Sequence, residues 1–156
     1  MARKIKIISV GKLKKDFWKD AFKFYIKRLK PYYSIEDLIV NPSNLENLEE
    51  RKREEGKRIL KRINKEKETL ISLDVKGKEL TTEEFSHYLK KWIESSSQYP
   101  CFIIGGAYGL WEEIKKESSF VISLSKLTFS HELTKIILLE QLYRATSIIF
   151  GHPYHH

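Results

Sequence analysis

Apolar and polar positions alternate at the start of the chain. In "KIKIISVGK", Ile5 and Ile7 stand against Lys4 and Lys6 and the run closes at Gly11, the period-two signature of a strand followed by a turn. The period then changes. "DFWKDAFKFYIKRL" places Phe17, Ala21, Phe22, Phe24, Tyr25 and Leu29 at helical spacing, and Pro31 stops it. "SIEDLIV" reads as a second strand. "NPSNLENLEERKREEGKRILKRINKEK" predicts a turn and then a long charged helix, acidic in its first half and basic in its second, the order a helix dipole favours. A strand "TLISLDV", a turn "KGKE", and a helix opened by Thr81 or Thr82 follow. The pattern closes with a strand "CFIIGG", a short helix "LWEEIKKESS", a strand "FVISLS", a connection "KLTFS", and a last helix from about His131 to Phe150.

Five strands, each followed by a helix, predict an α/β fold with a mainly parallel sheet between two helical layers. The 156 residues suit one domain, 1–156, with a proper core. The longest apolar stretch, "IILLEQLYRATSIIF", is interrupted by Glu140, Gln141 and Arg144, so no membrane span is expected. The basic opening is followed by a short, alternating apolar run with no small-residue cleavage site, so the expected location is cytoplasmic. Cys101, the single cysteine, lies inside an apolar strand and reads as core.

Charge changes the picture. Residues 1–67 hold 20 Lys/Arg against 10 Asp/Glu, whereas residues 68–156 hold 9 against 11. A basic half of this kind points to a polyanion such as nucleic acid, through exchange of condensed counterions for lysine and arginine; a solvated lysine-rich face is the plain alternative.

Three connections in the second half carry candidate chemistry: "LDVKGKE", "IIGGAYGL" and "LSKLTFSH". Ligands of open α/β sheets bind outside the carboxyl ends of strands, where these connections should lie. Gly105, Gly106 and Gly109 would let backbone approach a ligand, but the spacing is neither a dinucleotide fingerprint nor a phosphate loop. Ser123, Ser125, Thr128 and Ser130 around Leu127 and Phe129 make a mixed polar and apolar wall suited to a heterocycle, with Ser130 also placed to cap the last helix.

In that helix Glu140 and Arg144 are the only charges between Ile136 and Phe150, at the i,i+4 spacing that favours an ion pair. The chain then ends in "GHPYHH". His152, His155 and His156 have no acidic partner at metal-ligand spacing, so no metal is expected. The last histidine or two also read as a tag remnant, whereas a catalytic or substrate-holding tail built on Tyr154 and His155 suits the chemistry of imidazole at neutral pH.

These motifs, "ISVGKLK", "SLDVKGKELTTEEF", "FIIGGAYGL", "SLSKLTFSHEL", "LLEQLYRA" and "HPYHH", resemble end to end the family of large-subunit ribosomal RNA pseudouridine N3-methyltransferases, a compact branch of the SPOUT superfamily. The resemblance implies a deep trefoil knot in roughly residues 70–156, and S-adenosylmethionine as methyl donor, leaving S-adenosylhomocysteine. Cofactor contacts carry over to Leu73, Gly105, Gly106, Leu124, Ser125, Lys126, Leu127, Thr128 and Phe129. It also implies a homodimer in which each tail reaches the partner's cofactor, and action on the assembled ribosome. In that setting Arg144 would stabilise charge on the base, His155 or His152 would take its proton, Tyr154 would position it and Glu140 would orient Arg144. Ser130 and Lys135 depart from the proline and arginine of many relatives, and lysine lacks the arginine fork, so the substrate contacts near Lys135 stay open at this point. The alternative expectation is a ribosome-associated RNA-binding module without catalysis, which needs the basic half but neither the glycine connections nor the tail.

Overall fold

A computed structural model describes residues 3–156. Its strands are β1 (Arg3–Val10), β2 (Tyr33–Val40), β3 (Glu68–Glu79), β4 (Tyr99–Ile104) and β5 (Phe120–Ser123), and its helices are α1 (Asp16–Leu29), α2 (Leu48–Leu60), α3 (Thr82–Glu94), α4 (Glu112–Glu117) and α5 (His131–Phe150). The strands form one sheet in the order β2-β1-β4-β3-β5, and every pairing is parallel.

A parallel sheet covered on both faces demands apolar residues on both sides of its strands, and β1 meets this with Ile5 to Val10 all buried. The alternation of the strand sorts them. Ile5 and Ile7 join Leu29, Phe102, Leu138, Leu139 and Leu142 in the layer formed by α1, α3 and α5, while Ile8 and Val10 join Ile59, Ile103, Leu110 and Ile114 beneath α2 and α4. Lys6, buried in the same strand, is satisfied by Glu68 at 2.7 Å, whose carboxylate also accepts from Tyr99 Oη at 2.8 Å. Cys101 is fully buried in the core.

α5 lies between α1 and α3 and is tied to the sheet by polar contacts as well as by its leucines. Tyr33 Oη and Thr146 Oγ1 are 2.6 Å apart, and Lys135 Nζ reaches Asp37 Oδ1 at 2.7 Å and Ser9 Oγ at 3.1 Å, over the ring of Phe22. Lys135 is 2% exposed, a core ion-pair residue with no surface to offer a substrate. Ser130 caps α5 by accepting from Leu133 N at 3.2 Å, and Thr81 caps α3 in a reciprocal capping box with Glu84.

Two expected elements differ. The charged run after β2 yields a helix only from Leu48 to Leu60; the backbone carbonyl of Asn64 then accepts from both Lys67 N and Glu68 N, turning the chain into β3. "KGKE" is no turn but the end of β3, which pairs with β5 on both sides of a register break between Leu73 and Lys78.

Candidate functional site

A cavity of about 280 Å³ opens where β4 and β5 end and β3 breaks its register. Leu73, Asp74 and Val75 of β3 form one wall, the segment from Ile104 to Gly109 a second, and Leu124, Ser125, Leu127, Thr128 and Phe129 a third; His131 and Thr134 of α5 close it. The location obeys the rule for open α/β sheets.

Each wall is shaped by close backbone approach. A Cβ on Gly105 would stand 2.7 Å from the carbonyl carbon of Gly109, and one on Gly77 would stand 2.7 Å from that of Ile122, so neither position admits a side chain without backbone movement. Gly109 takes φ +90°, and its N–H donates to Gly106 O at 3.1 Å, which folds Ala107 and Tyr108 onto the tip of a tight turn. In the third wall Ser123 Oγ donates to Ser125 O at 2.8 Å and Leu127 N donates to Ser125 Oγ at 3.0 Å, so the segment is braced by its own hydroxyls. Behind the second wall lies Glu55 of α2. Its Oε2 accepts from Ser43 N at 3.0 Å, a Cβ on Gly106 would come within 3.2 Å of its Oε1, and burial pushes its carboxyl above the ordinary range.

Of the nine residues that the family resemblance implies for the cofactor, eight line this cavity. Lys126 does not: its side chain is 84% exposed and reaches Glu79 at 3.6 Å. Asp74, Tyr108 and His131 also line the cavity; they lie inside the three connections but are not among the glycines and hydroxyls that mark them, and Thr134 lies beyond the last connection. The composition fits S-adenosylmethionine. Leu73, Leu124, Leu127 and Phe129 offer an apolar slot for a flat heterocycle, Ser125 and Thr128 offer hydroxyls, and Gly105 and Gly106 leave a stretch of wall free of side chains for a polar tail.

The C-terminal residues form a second cluster. Arg144 binds Glu140 through Nε and Nη2, both 2.7 Å from Oε1, and that contact strengthens its hold on its proton. Its guanidinium lies 4.9 Å from the centre of the Tyr154 ring, which packs on Tyr143 at 4.7 Å. His155 bridges the cluster, with Nδ1 3.3 Å from Arg144 Nη1 and Nε2 2.7 Å from Glu83 Oε1. Glu83 lies at the start of α3, its carboxyl held below the ordinary range first by the hydrogen bond to His155. Thus Glu140, Arg144, Tyr154 and His155 come together, and Glu83 joins them unannounced. His152 stands apart, against Tyr32 at 5.8 Å.

Cavity and cluster occupy different stretches of α5. Thr134 lines the cavity and Arg144 is ten residues on, about 15 Å along the helix axis at 1.5 Å per residue.

A parallel α/β sheet with helices on both faces and a cavity at the strand ends places the chain among three-layer α/β proteins with a candidate ligand cavity. The chain belongs to the SPOUT methyltransferase family: the family model described as "Predicted SPOUT methyltransferase" matches residues 3–155. It is 44% identical over 155 residues to a protein of Maridesulfovibrio salexigens named "Ribosomal RNA large subunit methyltransferase H", covering 98% of both chains. Relatives in Acetivibrio thermocellus, with the same name, and Thermoanaerobacter pseudethanolicus, named "Ribosomal RNA large subunit methyltransferase H 1", are 42% and 45% identical, covering 97% and 91% of this chain and 99% and 95% of theirs.

Proposed function

We propose that this protein methylates large-subunit ribosomal RNA at N3 of a pseudouridine, with S-adenosylmethionine held in the cavity at the strand ends, as a homodimer in the cytoplasm acting on the assembled ribosome. The observation that carries the reading is the convergence of Leu73, Gly105, Gly106 and the 124–129 segment, distant in sequence, on one cavity of mixed apolar and hydroxyl lining. The names of the relatives supply the reaction class. Residues of roughly 70–156 carry the deep trefoil knot of the family in this reading, and the backbone contact at Gly77 suits so close a crossing of chain. Among the described residues no helix is long and apolar enough to cross a membrane.

When bound, S-adenosylmethionine supplies an electrophilic methyl group on a sulfonium. The protein's task lies with the acceptor. An imide nitrogen is a poor nucleophile until its proton leaves, so the site must accept that proton and favour the resulting anion. His155 accepts the proton through a ring nitrogen. Arg144, held in place by two contacts to Glu140, stabilises the charge spread over the base carbonyls, and Tyr154 offers a ring and a hydroxyl to position the base. His152, turned towards Tyr32, takes no part.

The separation along α5 argues for a site shared between two copies, the cavity of one meeting the tail of the other. The half-buried stripe Leu133, Ile137, Gln141, Arg144 and Ile148 gives α5 an uncovered, largely apolar side for that contact. Calorimetry with S-adenosylmethionine, S-adenosylhomocysteine and ATP tests the cavity, with the first two binding and ATP not. Mass-spectrometric mapping of ribosomal RNA from cells lacking the protein tests the reaction by the loss of one methylated pseudouridine. Ribosome binding with neither cofactor binding nor a lost methyl group would identify an RNA-binding module instead.

A further inference from the structure

Three of the large apolar side chains that remain exposed stand around the mouth of the cavity: Val75 at 42%, Tyr108 at 50% and Leu127 at 71%. Tyr108 is the aromatic one, and it is presented rather than left loose. The turn between Gly106 and Gly109 holds it at a tip closed by a backbone hydrogen bond. Arg51 of α2 comes over one face of the ring, its guanidinium carbon 5.2 Å from the ring centre. Arg51 is itself fixed, since its Nε donates to Leu45 O at 2.7 Å. Its two Nη groups have no hydrogen-bond or ion-pair partner among the described residues. Arg51 is half-buried and its Nη groups are open to solvent, so a pre-set guanidinium beside an exposed ring keeps donors available to a ligand.

The surroundings say what that is. Lys52, which also pairs with Glu49 at 3.3 Å, follows Arg51 on the half of the chain with the excess of positive charge. Glu112 is held below the ordinary carboxylate range first by Lys115, and Lys52 and Lys76 add to the effect from nearby. An aromatic face within a basic neighbourhood is the way proteins hold unpaired nucleotides: the ring stacks on a base and the cations take the phosphate.

We propose that Tyr108 and Arg51 form a stacking clamp for a nucleotide of the substrate RNA next to the one that enters the cavity, Tyr108 stacking on its base with the ring face that Arg51 leaves open and Arg51 donating to its phosphate. The inference rests on the methyltransferase reading and assigns its substrate a second point of contact, at the mouth of the cavity and apart from the tail cluster.

The test uses the full chain, S-adenosylmethionine, and ribosomes purified from cells lacking this protein. Tyr108→Ala should raise the KM for ribosomes by about 5- to 150-fold, the range that loss of one stacked base produces, with kcat changed far less. Tyr108→Phe and Tyr108→Trp, which keep a stacking face, should stay near the parent. Arg51→Ala should weaken ribosome binding and flatten the slope of log Kd against log[salt] by somewhat less than one, as expected for one lost phosphate contact. Calorimetry with S-adenosylmethionine and sedimentation are run on every variant. An unchanged KM in Tyr108→Ala overturns the clamp. So does a change traced entirely to cofactor affinity, which would make Tyr108 a cofactor contact with no share in the RNA, or to dimer dissociation, which would place it under the second copy. If the parent protein transfers no methyl group at all, the methyltransferase reading has failed, and that result is separate from any of these.

Discussion

Glu55 places a carboxyl where water hardly reaches, behind the cavity wall at Gly106, with one hydrogen-bond donor, Ser43 N, and the charges of Arg51 and Arg58 nearby, which offset only part of its desolvation. Burial raises its pKa in the folded state, so between the ordinary carboxylate range and the raised value the native chain binds more protons than the unfolded one. Stability therefore falls as pH rises through that window. Glu55→Gln keeps an oxygen to accept from Ser43 and has no proton to lose. Thermal melts should show the variant gaining over the parent more at about pH 7 than at about pH 4; an equal offset at both would mean that ionisation of Glu55 carries no cost. Cys101 is the complementary case. Burial pushes its thiol up to about 12, so it stays protonated and enclosed, and maleimide should modify the native protein at least about a hundredfold more slowly than the protein in denaturant. Comparable rates would show that β4 opens readily.

At the scale of elements, α5 is where the sequence was most readable. Its start at His131, its end at Phe150 and the cap at Ser130 follow from one hydroxyl, a long apolar run and Gly151, which takes φ +72° as a helix terminator must. The cavity walls were readable too, because glycines and hydroxyls follow strands too apolar to be anything but buried. Other features were not. Charged residues look alike in a helix and in the turn after it, so α2 was overread beyond Leu60, and "KGKE" has turn-like composition although it pairs with β5. Glu83 gave no signal, since an acidic residue in the first turn is what any helix carries, and its partner His155 lies 72 residues away. Lys126 was nominated with the rest of its run, yet the bend of that run turns it outward. The tail supplies the prediction at this scale. A chain lacking residues 152–156 keeps every cavity wall, so it should bind S-adenosylmethionine within a few-fold of the parent while methyl transfer falls by about a hundredfold or more. His155→Ala should recover part of its rate as pH is raised, because solvent then helps to remove the N3 proton. Transfer at the parent rate by the truncated chain would take proton acceptance away from the tail.

For the whole molecule, the decisive quantity is the distance between the two halves of the chemistry. His155 and Arg144 lie beside one another, and the cavity begins about ten residues earlier on the same rigid helix, so bending of the tail alone cannot bring them to it. If a second copy supplies what one chain lacks, two defective proteins should repair each other. Gly105→Ala puts a Cβ into the backbone of Gly109 and spoils the cavity, and the chain lacking residues 152–156 has no tail. Each alone should be nearly inactive. In a shared site, the mixed dimer pairs the intact cavity of the truncated chain with the intact tail of the Gly105→Ala chain. Random exchange at equal concentrations makes half of the dimers mixed, each with one working site of two, so activity should return to about one quarter of the parent value. The measurement is methyl transfer before and after the two proteins are incubated together under conditions where sedimentation shows subunit exchange. No recovery after demonstrated exchange would mean that each chain completes its own site, and α5 would then have to bend or the RNA bridge the gap.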